Sequence, residues 1–136
     1  MAKIKELIYS TKKQFELINI TAEVNKFVAD SRVLEGACFV FSLHATASLY
    51  LNENEPGVKE DILQGILSLA PESKDYKHNV IDGNARAHIL AAIVGSHLTL
   101  PVIGGKLALG TWQEIFFVEL DGPRPARKVI IKIIEG

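Results

Sequence analysis

The segment Ala37-Cys38-Phe39-Val40-Phe41-Ser42-Leu43-His44-Ala45-Thr46-Ala47-Ser48-Leu49-Tyr50-Leu51-Asn52 decides the reading of this chain. Ala37 to Leu43 is apolar on both alternating sets of positions, the pattern of a central strand. At His44 the character changes. If extended backbone continues, the two-residue period places His44, Thr46, Ser48, Tyr50 and Asn52 on one face. Such a polar row is commonly a solvent face. Joined to so apolar a strand, it reads here as a pocket wall.

Towards the N-terminus, Ile4 to Ser10 and Gln14 to Ile20 read as strands joined by Thr11-Lys12-Lys13. Thr21 is placed to cap a helix over Ala22 to Leu34, because its hydroxyl can accept a free backbone N–H of the first turn. Val24, Phe27, Val28 and Leu34 give that helix an apolar side, and Gly36 is its expected stop. Towards the C-terminus, Val58 to Ala70 forms a second apolar-periodic stretch with Pro71 just past its end. Glu72 to Gly83 is polar and irregular, and Asn84 opens a third helix running to about Ser96. Strands are expected over Leu98 to Ile103, Lys106 to Leu109, Ile115 to Leu120 and Val129 to Ile134. Gly104-Gly105, Gly110 and Gly122-Pro123 punctuate them. Seven or eight strands with three helices define an α+β class with mixed, sandwich-like sheets, in one domain over residues 1–136.

The 136 residues suffice for one core and leave little for a second. A hydrophobic fraction of 48% and a mean hydropathy of +0.18 leave apolar surface for a subunit interface. The net charge of −1, with scattered basic residues, argues against nucleic acid or an anionic membrane as partner. No stretch approaches the roughly 20 apolar residues of a membrane span. The N-terminus lacks a signal-peptide core, so the expected location is the cytoplasm. The single cysteine, Cys38, excludes an intramolecular disulfide and a cysteine zinc cluster, and its apolar surroundings suit an inert thiol.

The histidines carry the chemistry. On the third helix, Ile89, Leu90, Ile93 and Val94 form the bulky stripe. His88 lies opposite, among Asn84, Ala85, Ala92 and Gly95, where small side chains leave room for an imidazole to reach another element; a harmless surface histidine is the plainer alternative. His78 stands ten residues earlier, in the loop that returns through Asp82-Gly83. His44 ends the central strand. His97 has no supporting context and reads as surface. His44, His78 and His88 are thus the candidate ligands of one divalent metal. Three neutral imidazoles without a cysteine suit zinc with a fourth position left open.

Glu53 follows the polar row, where a carboxylate can take a proton from a water activated by the metal, act as a ligand, or simply be a solvated turn residue. Asp61 is a weaker candidate of the same kind. Trp112 offers a flat stacking surface, and Arg124 and Arg127 follow a rigid Gly-Pro turn from which they could clamp a phosphate or carboxylate.

These residues recur in an ordered series: His44-Ala45-Thr46-Ala47-Ser48-Leu49, Asn52-Glu53-Asn54, Asp61, Pro71, Tyr76-Lys77-His78, Asn84-Ala85-Arg86-Ala87-His88, Pro101-Val102, Gly110-Thr111-Trp112-Gln113 and Asp121-Gly122-Pro123-Arg124. The series resembles the YjbQ family, also named the secondary thiamine-phosphate synthase family, over nearly the whole chain. The resemblance implies a homotrimer of compact α+β subunits with a metal on the motif histidines, which here are His44, His78 and His88. Read from the residues themselves, Glu53 is the candidate catalytic base, and Thr46, Ser48, Asn52, Trp112, Gln113, Arg124 and Arg127 are the candidate substrate-binding groups. Two positions depart from the family pattern: Ala45 replaces a hydroxyl residue, and Glu55-Pro56 replaces Asp-Pro.

The implied activity is that of a metal-binding enzyme acting on a small phosphorylated or heteroaromatic substrate. Forming thiamine phosphate displaces pyrophosphate, a step usually served by Mg²⁺ on carboxylates and phosphates. Three imidazoles suit metal-assisted hydrolysis better. A non-catalytic metal- or ligand-binding trimer is the competing expectation, distinguished by a closed coordination shell.

Overall fold

The computed structural model describes residues 2–136, and Met1 lies outside the described residues. In chain order the elements are β1 (Ala2–Tyr9), β2 (Glu16–Asn19), α1 (Thr21–Ser31), β3 (Glu35–Ser42), β4 (Ala47–Asn52) and α2 (Pro56–Ser68). A 3-10 helix (Lys77–Val80), α3 (Ala85–Val94), β5 (His97–Ile103), β6 (Lys106–Leu107), β7 (Glu114–Glu119) and β8 (Arg127–Glu135) follow. One sheet has the order β1-β8-β3-β5-β6 and the other β2-β7-β4. The α+β class is the one expected from the sequence. Every pairing is antiparallel, however, so two antiparallel sheets stand where a mixed system was expected.

The central strand is where its composition placed it, with β3 paired to β8 on one side and to β5 on the other. Its two faces fare differently. Cys38 and Val40 are fully buried against Val129, Ile131 and Ile133 of β8, Ala47 and Leu49 of β4, and Ile115 and Phe117 of β7. Val24 and Val28 of α1 join the same cluster, and each such side chain contributes roughly 1.5–3 kcal/mol of burial free energy. On the opposite face Phe41 is 43% exposed, and Ile4, Ile8 and Ile134 are exposed with it. The three-stranded sheet is the middle layer. Its other face sets Val118 and Leu120 against Ile66 and Ala70 of α2 and its C-cap region and Ala87, Leu90 and Ala91 of α3.

Three local expectations are corrected. Thr21 is the first helical residue rather than the cap: its hydroxyl donates to Asn19 Oδ1 at 2.6 Å and accepts Ile115 N–H at 2.8 Å, tying α1 to β7. Helix α1 ends at Arg32, in the left-handed region, and not at Gly36. Gly36 lies inside β3, where a Cβ would stand 2.1 Å from the Ile134 carbonyl oxygen, so the close approach of β8 requires glycine. Helix α2 begins at Pro56, two residues early, because the Glu55 side chain accepts the N–H groups of Gly57 and Val58.

Two short crossings determine where polar residues collect. Thr11 to Gln14 leads the chain from β1 in one sheet towards β2 in the other, and Leu43 to Thr46 leads it from β3 to β4. The polar row therefore does not extend as a single strand from His44. Among the described residues no helix is long and apolar enough to cross a membrane.

Candidate functional site

His78 and His88 come together as their setting suggested. Asn79 Oδ1 accepts the Ala85 N–H at 3.1 Å, which fastens the 3-10 helix to the start of α3. The His78 carbonyl accepts the N–H groups of Ile81 and Asp82, which turns the chain back. The small Ala85, one turn before His88, leaves the approach open. The two imidazoles meet edge-on with centroids 4.7 Å apart. They border a cleft of about 380 Å³ whose walls include Tyr76, Lys77, Ala85 and Ile89. Clefts of this size hold small ligands.

Two imidazoles are a partial donor set for zinc, which takes four ligands. Two nitrogens on one tetrahedral zinc lie roughly 3.3 Å apart, given zinc–nitrogen distances of about 2.0–2.1 Å, and rings at this separation can meet that spacing. His44 does not complete it: among the described residues no three His, Cys, Asp or Glu side chains are grouped to hold an ion.

His44 is engaged elsewhere. Beyond the last ladder pair, Ser42 with Val129, the Leu43 N–H still donates to the Lys128 carbonyl at 3.3 Å. The Lys128 N–H would then lack a backbone acceptor, and His44 Nε2 accepts it at 2.7 Å. Burial, followed by the Arg127 guanidinium, holds the His44 pKa below its ordinary 6.5, with the Glu119 carboxylate opposing.

Beside this turn, Arg127 is buried and donates to both oxygens of Glu119 and to Thr46 Oγ1. Thr11 Oγ1 donates to Glu119 Oε1 at 2.7 Å. Burial alone would raise the Glu119 carboxyl; the hydrogen bonds from Arg127, Thr11 and the Asp121 N–H outweigh it and hold the group below its ordinary value. Thr46 and Arg127, expected to bind substrate, are instead spent on joining the two crossings to β7 and β8. Ser48 is likewise committed, donating from full burial to the Ala91 carbonyl of α3.

Asn52, Glu53, Trp112 and Gln113 lie at the far end of the same sheet. Asn52 pairs with Glu114, so Glu53, Trp112 and Gln113 share that end, whereas Thr46 lies at the Glu119 end. The six residue steps from Thr46 to Asn52 cover about 20 Å of extended chain. Asn52 Oδ1 accepts the Glu53 N–H, Gln113 Oε1 accepts the Gly110 N–H, and Trp112 is 70% exposed. Glu53 thus stands away from His44. It also stands at the opposite end of α2 from the Leu67 and Ala70 carbonyls, which accept hydrogen bonds from Arg86, two residues before His88. Arg124 is half-exposed and paired with Asp121, which also accepts from Asn84 at the start of α3. Glu119 was missed in the sequence, although one carboxylate inside the apolar run Ile115 to Leu120 is itself a sign of a buried partner.

The chain matches the family model described as "UPF0047 protein YjbQ-like" over residues 5–136. It is 46% identical to a UPF0047 protein of Archaeoglobus fulgidus over 129 residues, covering 95% of this chain and 99% of the relative. It is 37% identical to the UPF0047 protein YugU of Bacillus subtilis, covering 96% and 98%. Among solved structures, a protein of Sulfolobus solfataricus described as YbjQ-like and of unknown function superposes with a TM-score of 0.98 at 43% identity, covering 100% of this chain and 99% of that one. A Clostridium acetobutylicum protein of the yjbq/upf0047 family superposes with a TM-score of 0.89 at 44% identity, covering 96% and 99%.

Proposed function

The chain belongs to the YjbQ-like UPF0047 family, and we propose that its activity is centred on a divalent-metal and ligand site at His78 and His88. The observation that carries this reading is the edge-on imidazole pair bordering the 380 Å³ cleft. An ion of the zinc type would supply Lewis acidity to a substrate oxygen there. The chain's own residues supply the rest. Tyr76 and Ile89 give an apolar wall, and Lys74 and Lys77 bring positive charge to the same cleft. Those groups suit a small phosphorylated or heteroaromatic substrate.

Imidazole donors favour hydrolysis over displacement of pyrophosphate, so formation of thiamine phosphate would be a secondary activity. The protein would work in the cytoplasm as a homotrimer, an assembly supported by the apolar face bearing Ile4, Ile8, Phe41 and Ile134. The distance of Glu53 from both histidine positions favours a second reading, a non-catalytic metal- and ligand-binding trimer.

Metal analysis of protein purified without added metal, joined to a thermal-shift screen of small phosphates and heteroaromatics, tests both. A ligand at about 100 times its dissociation constant should add roughly 2.7 kcal/mol of stability. Bound metal with turnover of a stabilising ligand supports the enzyme, and stabilisation without turnover supports the binding protein. Absence of metal after zinc loading would end both readings.

A further inference from the structure

His44 is where the chain and the expected metal site disagree. A backbone N–H can only donate, so the 2.7 Å contact from Lys128 requires a lone pair on His44 Nε2. In a neutral imidazole the proton then resides on Nδ1. A metal needs a lone pair as well, and this ring has none left without losing a second proton. Freeing Nε2 would leave the Lys128 N–H without its acceptor at the point where the β3–β8 ladder ends.

Nδ1 has no hydrogen-bond partner among the described residues and is not among the buried unsatisfied atoms, so its N–H is available from outside. The groups around it are mostly cationic. Arg127, Lys128 and Arg124 act on the ring, and Glu119 is the single opposing charge. Glu119 is already neutralised by Arg127, and Arg124 is paired with Asp121. The exposed Lys128 ammonium has no carboxylate partner among the described residues. This corner offers one fixed N–H donor and one free cation to an acceptor.

We infer that His44 is held as the Nδ1–H tautomer by the Lys128 N–H and serves, with the Lys128 side chain, as a hydrogen-bond donor to an oxyanion rather than as a ligand of the metal. The inference rests on the His78–His88 reading only where it assigns the metal elsewhere; the tautomer and the oxyanion stand on their own.

Long-range proton–nitrogen correlation spectra of the histidine rings test it at neutral pH. Nδ1 of His44 should resonate as a protonated nitrogen and Nε2 as an unprotonated one. Zinc should leave both signals in place, and inorganic phosphate should shift Nδ1. His44→Ala should bind zinc as the parent does and phosphate about tenfold more weakly, the effect of one lost charge-assisted hydrogen bond. His44→Gln keeps an acceptor for Lys128 and guards against loss of the fold, and it too should bind zinc normally. An Nε2–H tautomer, a zinc-dependent shift at His44, loss of zinc in His44→Gln or unchanged phosphate affinity in His44→Ala would each overturn the inference. If the parent protein binds no zinc, the metal reading fails, while the tautomer and phosphate results still decide the role of His44.

Discussion

Arg127 and Glu119, eight residues apart, form a buried ion pair at the end of the molecule where the chain crosses between sheets. Thr11 and Thr46 are bonded into the same pair. A buried pair costs much of its own attraction in desolvation, but losing one member leaves the other uncompensated. Arg127→Met should therefore destabilise the fold by about 3–5 kcal/mol in urea denaturation. The double variant Arg127→Met/Glu119→Leu should recover a substantial part. Two singles that cost little, or a double that costs their sum, would show that the pair is not a coupled unit.

The same network predicts acid sensitivity in two windows. Glu119 has a folded-state pKa below its ordinary 4.5, so the unfolded chain binds its proton first. Its contribution is complete above pH 4.5 and is lost as pH falls through the lower folded value. The His44 pKa is likewise below 6.5, so its contribution is complete above pH 6.5 and declines below. Stability measured from pH 8 downward should begin to fall near 6.5 and fall again below 4.5. His44→Gln should remove the first decline and leave the second; a first decline that persists in this variant would assign it to another group.

Two glycines should respond to alanine with opposite signs. Gly36→Ala puts a Cβ 2.1 Å from the Ile134 carbonyl oxygen in the central strand, a clash of the kind that costs about 1–3 kcal/mol or more. Gly65 lies in exposed α2 with nothing within 4 Å, so Gly65→Ala should stabilise by about 0.5–1 kcal/mol. Equal effects at the two sites in thermal unfolding would contradict the packing described.

Arg86 joins the end of α2 to α3. Its guanidinium donates to the Ala70 and Leu67 carbonyls and lies 5.9 Å from the Phe15 ring centroid. Arg86→Ala should lose about 1–3 kcal/mol. Arg86→Lys, which has no planar fork to span both carbonyls, should recover only part of it, as read from urea midpoints.

The elements were legible where side-chain period and burial agree. The apolar run from Ala37 lies in the central strand Glu35–Ser42, and the three helices lie close to where their apolar stripes placed them. What the alternation could not reveal is that the chain leaves one sheet at Leu43 and enters the other at Ala47, because a crossing turn does not alter the pattern on either side. The expected polar row therefore broke apart. Ser48 faces α3, Thr46 bonds Arg127, and His44 takes over a ladder position. The meeting of His78 and His88 was legible from the small residues around His88 and the returning loop. The Glu119 partnership with Arg127 was hidden because neither residue type announces its partner across a strand connection.

A metal site at His78 and His88 is tested most directly by calorimetric zinc titration of metal-free protein, comparing the parent with His78→Ala and His88→Ala. The parent should bind zinc saturably, and binding should be at least tenfold weaker when either imidazole is removed. Undiminished affinity in both variants would contradict the placement of the metal at His78 and His88.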